Sequence, residues 1–372
     1  MNFDLNDEQK QLTAAIGRFI EKDYDFDSRS RYLRQPQGHD DGAWRALAEL
    51  GLMALPIDSE HGGFSGSAVD MMAVQQALAP AMIVEPYQAT VIAAHALQRA
   101  GGHGAVLSQV AAGSLKLAAA FNEARSRYQL NEVRTRASQG RLSGEKCVIT
   151  HGAQADWLLV SARSHAETAD TDGISLYLVD RNAPGLQIKD YRSIDNLRAA
   201  DIRLDNTPGT LVGAEGKGWD LLDATADYAC VLLCAEAVGL IDSLIETTVS
   251  YTKLRKQFGV PIASFQALQH RMADMLIHAE QARSITMLAA GRYDSASPEE
   301  RRRYVSAAKA RIAQAGRAVG QEAVQLHGGI GVTNELPAAH MFKRLTVINT
   351  LFGDRDHHIS RFTAQPAFRQ AG

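Results

Sequence analysis

The sequence predicts an α+β protein whose chain runs through an N-terminal helical domain, a small central β domain and a C-terminal helical bundle. Three observations predict it. Apolar residues recur at helical spacing toward both ends. Short β-branched runs separated by turn residues fill the middle. The C-terminal helical stretches are long and joined by short links, which favours an antiparallel four-helix bundle. The boundaries fall at 1–114, 115–213 and 214–372.

In the first segment, "DEQKQLTAAIGRFIEKDY" carries Leu12, Ile16 and Ile20 at four-residue spacing. "GAWRALAELGLMAL" repeats the pattern and is expected to stop near Pro56. "SEHGGFSGSAVDMMAVQQALA" reads as a glycine-rich turn and then a helix from about Ser67; "EPYQATVIAAHALQRAGG" adds another, closed by glycines. In the middle, "KCVIT", "DWLLVSAR", "ISLYLVD" and "AADIRLD" read as strands, with "SQGRLSG" and "RNAPG" as turns. Several short strands at this spacing suggest a barrel or sandwich. The last segment opens with a long helix over 220–254 and a second over "FQALQHRMADMLIHAEQARSITMLAAGRY". A third starts at Pro298 and ends before Gly328-Gly329. One or two more follow Pro337.

Composition excludes several functions. Charged residues make up 22% and the formal net charge is −3, so no basic surface announces a nucleic-acid partner. No apolar run approaches the ~20 residues of a membrane span. The N-terminus is polar and acidic, unlike a secretory signal. The three cysteines, Cys147, Cys230 and Cys234, lack metal-ligand spacing. Cys230 and Cys234 lie one turn apart in an apolar run and read as buried thiols. A reducing cytoplasm is the expected compartment.

Near the end, "LFGDRDHHISR" gathers Asp354, Asp356, His357, His358 and Arg361. A metal site is disfavoured, because adjacent His357 and His358 face different sides of a helix and no third or fourth ligand stands nearby. Asp354 or Asp356 can cap a last helix, or serve as an acid/base group. No nucleophile-elbow pattern supports a serine hydrolase. By themselves, Arg255 reads as a helix-end cation, Gly328-Gly329 as a helix C-cap and Thr150 as a strand former.

Three stretches change these readings together: "LRKQFGVPIASFQALQHRMADM" (254–275), "AVQLHGGIGVTNELPAAHMFKRL" (323–345) and "GEKCVITHGAQADWLLVSAR" (144–163). With "DEQKQL" and "ELGLMALPIDSEHGGFSG" they resemble the acyl-CoA dehydrogenase family in one order along nearly the whole chain. The resemblance implies a flavoprotein that oxidises the α,β bond of an acyl-CoA thioester and hands electrons to an electron-transferring flavoprotein. It implies FAD contacts from Arg255 to the pyrophosphate and from Gln325, Gly328 and Gly329 to the ADP half. It further implies packing by Phe258, a contact from Gln266, and a Thr150 hydroxyl near flavin N5. Planar guanidinium donors and Cβ-free amides both suit phosphate oxygens. In the family the bundle residues reach a neighbour's FAD, so a homo- or hetero-tetramer is expected.

The chain departs from the family in places. The glycine-rich segment beside flavin becomes "FNEARSRYQLNEV", where Asn122 and Glu123 stand for a Thr-Glu pair and Arg125, Ser126 and Arg127 replace glycines. Val148 stands for a flavin-stacking tryptophan, and Ala229 and Cys230 occupy the position of an alternative catalytic acid. The base that takes the α-proton is therefore sought in the last loop. One register puts Phe352 at the family's glutamate; the register of the following helix puts Asp354 there, and Asp354 is the expected base. The same departures suggest a roomier pocket for branched, dicarboxylic or ring-bearing acyl groups. They also leave open a half-site subunit that completes a sister chain's FAD, or a flavin oxidase or monooxygenase of the same fold.

Overall fold

The computed structural model describes residues 5–365. In chain order it forms α1 (Asp7–Asp23), α2 (Phe26–Arg34), α3 (Asp41–Glu49), α4 (Ala68–Leu78), α5 (Tyr87–Ala100) and α6 (Gly104–Ala111). Strands β1 (Leu117–Ala120), β2 (Arg136–Ser138), β3 (Arg141–Thr150), β4 (Trp157–Arg163), β5 (Ile174–Asp180), β6 (Leu186–Arg192), β7 (Arg198–Pro208) and β8 (Thr210–Val212) follow. Helix α7 (Trp219–Leu254) leads through β9 (Lys256–Gln257) and β10 (Val260–Pro261) to α8 (Gln266–Tyr293), α9 (Pro298–His327), α10 (Pro337–Ile348) and α11 (Arg355–Thr363).

Two compact units result. One contains residues 5–29, 68–83 and 230–365; the other contains residues 30–67 and 84–229. Within the first, α9 packs against α8, α10 and α11, and α4 packs against α1 and α8. Local signals set the helix starts. Asn6 and Gln9 form a reciprocal capping box at α1, and Ser297 and Glu300 do the same at α9, where Pro298 opens the first turn. Val305, Ile312, Val319 and Ala323 put the buried face of α9 into the bundle core. Arg344 on α10 makes a bidentate pair with Glu236 on α7, at 2.6 and 2.8 Å.

The second unit is built on one mixed sheet in the order β6-β7-β3-β2-β4-β5-β8, with β1 parallel to β4. Its core includes Leu142, Ile149, Leu158, Val160, Tyr177, Val179, Ile202 and Leu204. Two charged side chains lie fully inside it. Lys146 Nζ donates to Glu123 Oε1 at 2.8 Å and to Ser161 Oγ at 2.9 Å. Arg163 donates to the carbonyls of Asn131, Val133, Thr168, Asp170 and Asp172, tying two loops to the sheet.

Several expectations need correction. The helix expected to run to near Pro56 ends at Glu49, and turns occupy the stretch from there to Pro56. The expected turn "SQGRLSG" is confined to Gln139-Gly140, because β3 already pairs with β7 from Arg141. Strand β6 has no counterpart among the expected strands: it is an edge strand with mostly exposed polar side chains and has no apolar run. Helix α7 is long and apolar enough to cross a membrane by length and composition, although no single uninterrupted run suggests it. The qualifying window is 78% buried within the protein.

Candidate functional site

In the bundle unit, Arg255, Gln325, Gly328 and Gly329 line one concave pocket of about 630 Å³. The sequence places Arg255 and Gln325 about 70 residues apart; the antiparallel helices bring them together. Arg255 follows the last residue of α7, and Gln325 lies in the last turn of α9. Gly328 ends α9 at φ 64°, in the left-handed region that glycine enters without cost, and a Cβ at either glycine would meet open space. Tyr251, Leu254, Gln257, Ile262, Leu326, His327 and Ile330 complete the lining.

Phe258 and Gln266 do not line this pocket. Phe258 and Gly259 form the two-residue turn between β9 and β10, with φ values of 51° and 83°. The Phe258 side chain is 92% exposed and meets Phe265 edge-on at 6.1 Å. Gln266 is the exposed first residue of α8. Cationic Arg255, accessible backbone at two glycines, and a volume in the ligand range make the pocket a fit for the anionic half of a dinucleotide.

In the same unit, the loop between α10 and α11 carries the expected base. Asp354 is the N-cap of α11: its Oδ1 accepts from the His357 amide at 2.9 Å. Asp356 does not share that task; it is exposed and lies 3.8 Å from Arg355. Ahead of the cap, Phe352 has φ 54° and Gly353 φ 120°. A Cβ on Gly353 would lie 2.5 Å from His357 Cδ2 and 2.7 Å from His358 Nε2, so only glycine fits. His357 and His358 are perpendicular, and only His358 is fully buried. Burial first, then the charges of Lys309 and Arg361, holds the His358 pKa far below its ordinary value. Cys230 and Cys234 are both buried thiols, and burial pushes Cys234 well above its ordinary value. Among the described residues, no group of three or more His, Cys, Asp or Glu side chains gathers as a metal site.

In the sheet unit, Thr150 is the last residue of β3, half-buried and paired with Ala199. Val148 sits at a register shift between Lys146 and Ile149, with φ 53° and half its surface exposed. Its amide donates to Asp201 Oδ1 at 3.1 Å. Asn122 lies two residues beyond β1, and its carbonyl accepts from the Cys147 amide at 3.0 Å. Glu123 beside it is buried in structural bonds: it accepts from the Arg134 and Thr135 amides, the Thr135 hydroxyl and Lys146. Burial alone would raise its pKa; the Lys146 charge and these donors lower it.

Sequence reasoning did not single out Tyr251, His327 or Lys309. The first two flank motifs it did use: Tyr251 precedes Arg255 by one turn of helix, and His327 adjoins Gly328. Lys309 carries its own signal. It falls on the apolar stripe of α9 between Val305 and Ile312, where a charged side chain is out of place.

Family models described as the N-terminal, middle and C-terminal domains of acyl-CoA dehydrogenase match residues 6–105, 118–207 and 216–365. Among curated relatives, the probable acyl-CoA dehydrogenase fadE25 of Mycobacterium leprae is 28% identical over 368 residues, covering 92% of this chain and 90% of that protein. The acyl-CoA dehydrogenase IpdE2 of Mycolicibacterium smegmatis is 28% identical over 365 residues, covering 97% of this chain and 99% of its own. Among solved structures, a variant of the Tcur3481-Tcur3483 steroid ACAD has a TM-score of 0.89 at 26% identity, covering 98% of this chain and 99% of that chain. This chain belongs to the acyl-CoA dehydrogenase family of FAD-dependent oxidoreductases.

Proposed function

We propose that the chain works in an oligomer that removes hydrogen from the α,β bond of an acyl-CoA, gives the trans-2-enoyl-CoA, and passes electrons to an electron-transferring flavoprotein. The observation that carries this reading is the meeting of Arg255, Gln325, Gly328 and Gly329 in one pocket. FAD, when bound, supplies the hydride acceptor. Arg255 would pair with its pyrophosphate, Gln325 and the glycine amides would hold the nucleotide end, and Phe258 and Gln266 would meet it from the hairpin and α8. These bundle residues would serve the FAD of a neighbouring subunit, whereas Thr150 and Asn122, on the sheet unit, would serve the flavin end of the chain's own FAD. Leu254, Phe258 and Val332 are 81%, 92% and 69% exposed, apolar side chains that a second subunit would cover.

Asp354 would take the α-proton. Its Oδ1 holds the helix cap, which leaves Oδ2 without a hydrogen-bond partner among the described residues. An aspartate is one methylene shorter than a glutamate, so the thioester must come closer to the loop. We favour bulky acyl groups, because Val148 is smaller than the aromatic residue of relatives and the similar solved protein is named a steroid ACAD.

A second reading has its own support. Asp354 already caps α11, and Phe352 precedes it in the position of the family's glutamate by the ungapped register. On this reading the chain completes the flavin site of a sister subunit and lends no base. The absorbance spectrum separates the two. The first reading expects a yellow protein that a bulky acyl-CoA bleaches, and an Asp354→Asn variant that stays yellow and is not bleached. A protein that is colourless alone and yellow only with a sister chain supports the second. Oxygen consumption without an added acceptor would instead mark an oxidase or monooxygenase, and faster turnover of straight chains would overturn the preference for bulk.

A further inference from the structure

The loop from α10 to α11 is held from beneath by two buried side chains that the reaction does not itself require. Lys309 is fully buried, and its Nζ donates to the Ile348 and Gly353 carbonyls, each at 2.8 Å. Among the described residues it has no carboxylate partner at bonding distance, an expensive arrangement for an ammonium group. His358, 1% exposed, donates from Nε2 to the Phe352 carbonyl at 3.1 Å. Its Nδ1 lies 3.4 Å from the Ser306 hydroxyl, which Arg361 also approaches at 3.3 Å. Ser306 and Lys309 are three residues apart on α9 and so present one face to the loop. The carbonyls of Ile348, Phe352 and Gly353 are therefore all drawn inward.

This pull explains the backbone above it. The peptides are planar and trans, so an inward carbonyl at Gly353 turns the Asp354 amide the other way. Phe352 is held at φ 54°, a conformation a bulky residue keeps only when its surroundings impose it. Gly353 packs directly on His357 and His358.

We propose that Lys309 and His358 are positioning residues that fix the 349–354 loop, and with it the direction of the Asp354 carboxylate. The proposal rests on the reading that this loop carries the base. Proton transfer tolerates little displacement: about 1 Å of misplacement costs on the order of 10²-fold in rate. The side chains act through the loop and do not touch the substrate.

The test compares Lys309→Met, His358→Phe and His358→Gln in the FAD-loaded full-length protein. It measures single-turnover bleaching by a saturating acyl-CoA, KM, FAD affinity and amide hydrogen exchange. The expected result for Lys309→Met and His358→Phe is bleaching slowed about 10²-fold, with KM and FAD affinity kept and faster exchange confined to 349–357. His358→Gln, which can still donate to Phe352, should recover most of the rate. Bleaching at the wild-type rate would overturn the proposal, as would a loss spread equally over FAD affinity, KM and global exchange. If the wild-type protein binds FAD and is bleached by no thioester, the catalytic reading fails by itself. The exchange arm then decides: local loosening of 349–357 supports the clamp, and unchanged exchange overturns it.

Discussion

Glu123→Gln isolates one buried interaction. The substitution keeps the side chain's shape and removes its charge. In the wild-type protein the carboxylate accepts four bonds, from Lys146 at 2.8 Å, the Arg134 amide at 2.8 Å, the Thr135 hydroxyl at 2.8 Å and the Thr135 amide at 3.1 Å. The Lys146 side chain is 0% exposed and Glu123's only 7%. Neutralising the partner leaves a buried ammonium group with only the Gln amide oxygen and Ser161 as acceptors, and turns an NH2 donor toward groups that themselves donate, a situation that costs about 3–5 kcal/mol. All three tryptophans, Trp44, Trp157 and Trp219, lie in this unit, so urea unfolding followed by their fluorescence reports on it directly. The pair Glu123→Leu with Lys146→Met should recover much of the loss, since no charge remains to be buried. The sign with pH is fixed too. The carboxyl titrates below its ordinary value of 4.5, so its contribution is present above that pH and disappears as the pH falls through the lowered value. The Gln variant should lack that acid-side loss. A Glu123→Gln cost under about 1 kcal/mol, or a double variant as unstable as the summed singles, would refute the reasoning.

Arg255→Gln should weaken FAD binding about 10- to 100-fold, the worth of charge-assisted bonds to phosphate, in a titration of the apoprotein. Because Arg255 is exposed, the thermal stability of the apoprotein should not change. Arg344→Met should cost about 3–5 kcal/mol by removing the bidentate guanidinium from the buried Glu236 carboxylate, read by far-UV circular dichroism in urea. Leu254→Ser with Phe258→Ser should shift the protein to smaller assemblies in light scattering, without unfolding it. His358 is surrounded by Lys309, Arg361, His357 and Cys230 and stays neutral, so below about pH 6.5 the unfolded chain takes up a proton that the folded chain refuses. Stability should fall by about 1.4 kcal/mol from this group for each unit the pH is lowered, and His358→Phe should make the slope shallower.

The long elements were legible because each carries its own period and stops. Asp220 to Leu254 has no proline, and Pro298 and Gly328 bracket α9. Strands β4 and β5 were legible for the same reason, being apolar on both faces. What escaped was structure stabilised from outside its own sequence. Strand β6 forms because β7 supplies its partners. The short helix α2 has little apolar content in nine residues, too few to announce a helix by periodicity. The pocket was half legible: Arg255 and Gln325 belong to motifs, but Tyr251 and His327 enter only because antiparallel helices close the concavity.

The loop before α11 shows a different limit. In "LFGDRDHH" the acids draw attention first, since a carboxylate can cap, pair or take a proton. One of them, Asp356, is exposed, and the other caps the helix. The groups that shape the loop are instead His358, placed four residues after its cap, and Lys309, distant in sequence on another helix. Neither bonds to an acid; both bond to carbonyls, which leave no mark on a sequence. A lysine on the apolar stripe of a long helix is the one trace available. A buried ammonium must find oxygen, and the apolar side chains around it on α9 offer none. The oxygen has to come from backbone that is not engaged in a helix or sheet of its own. Such a lysine therefore points to a loop or a helix end packed against it, and in this chain that loop is the one in which the base is sought.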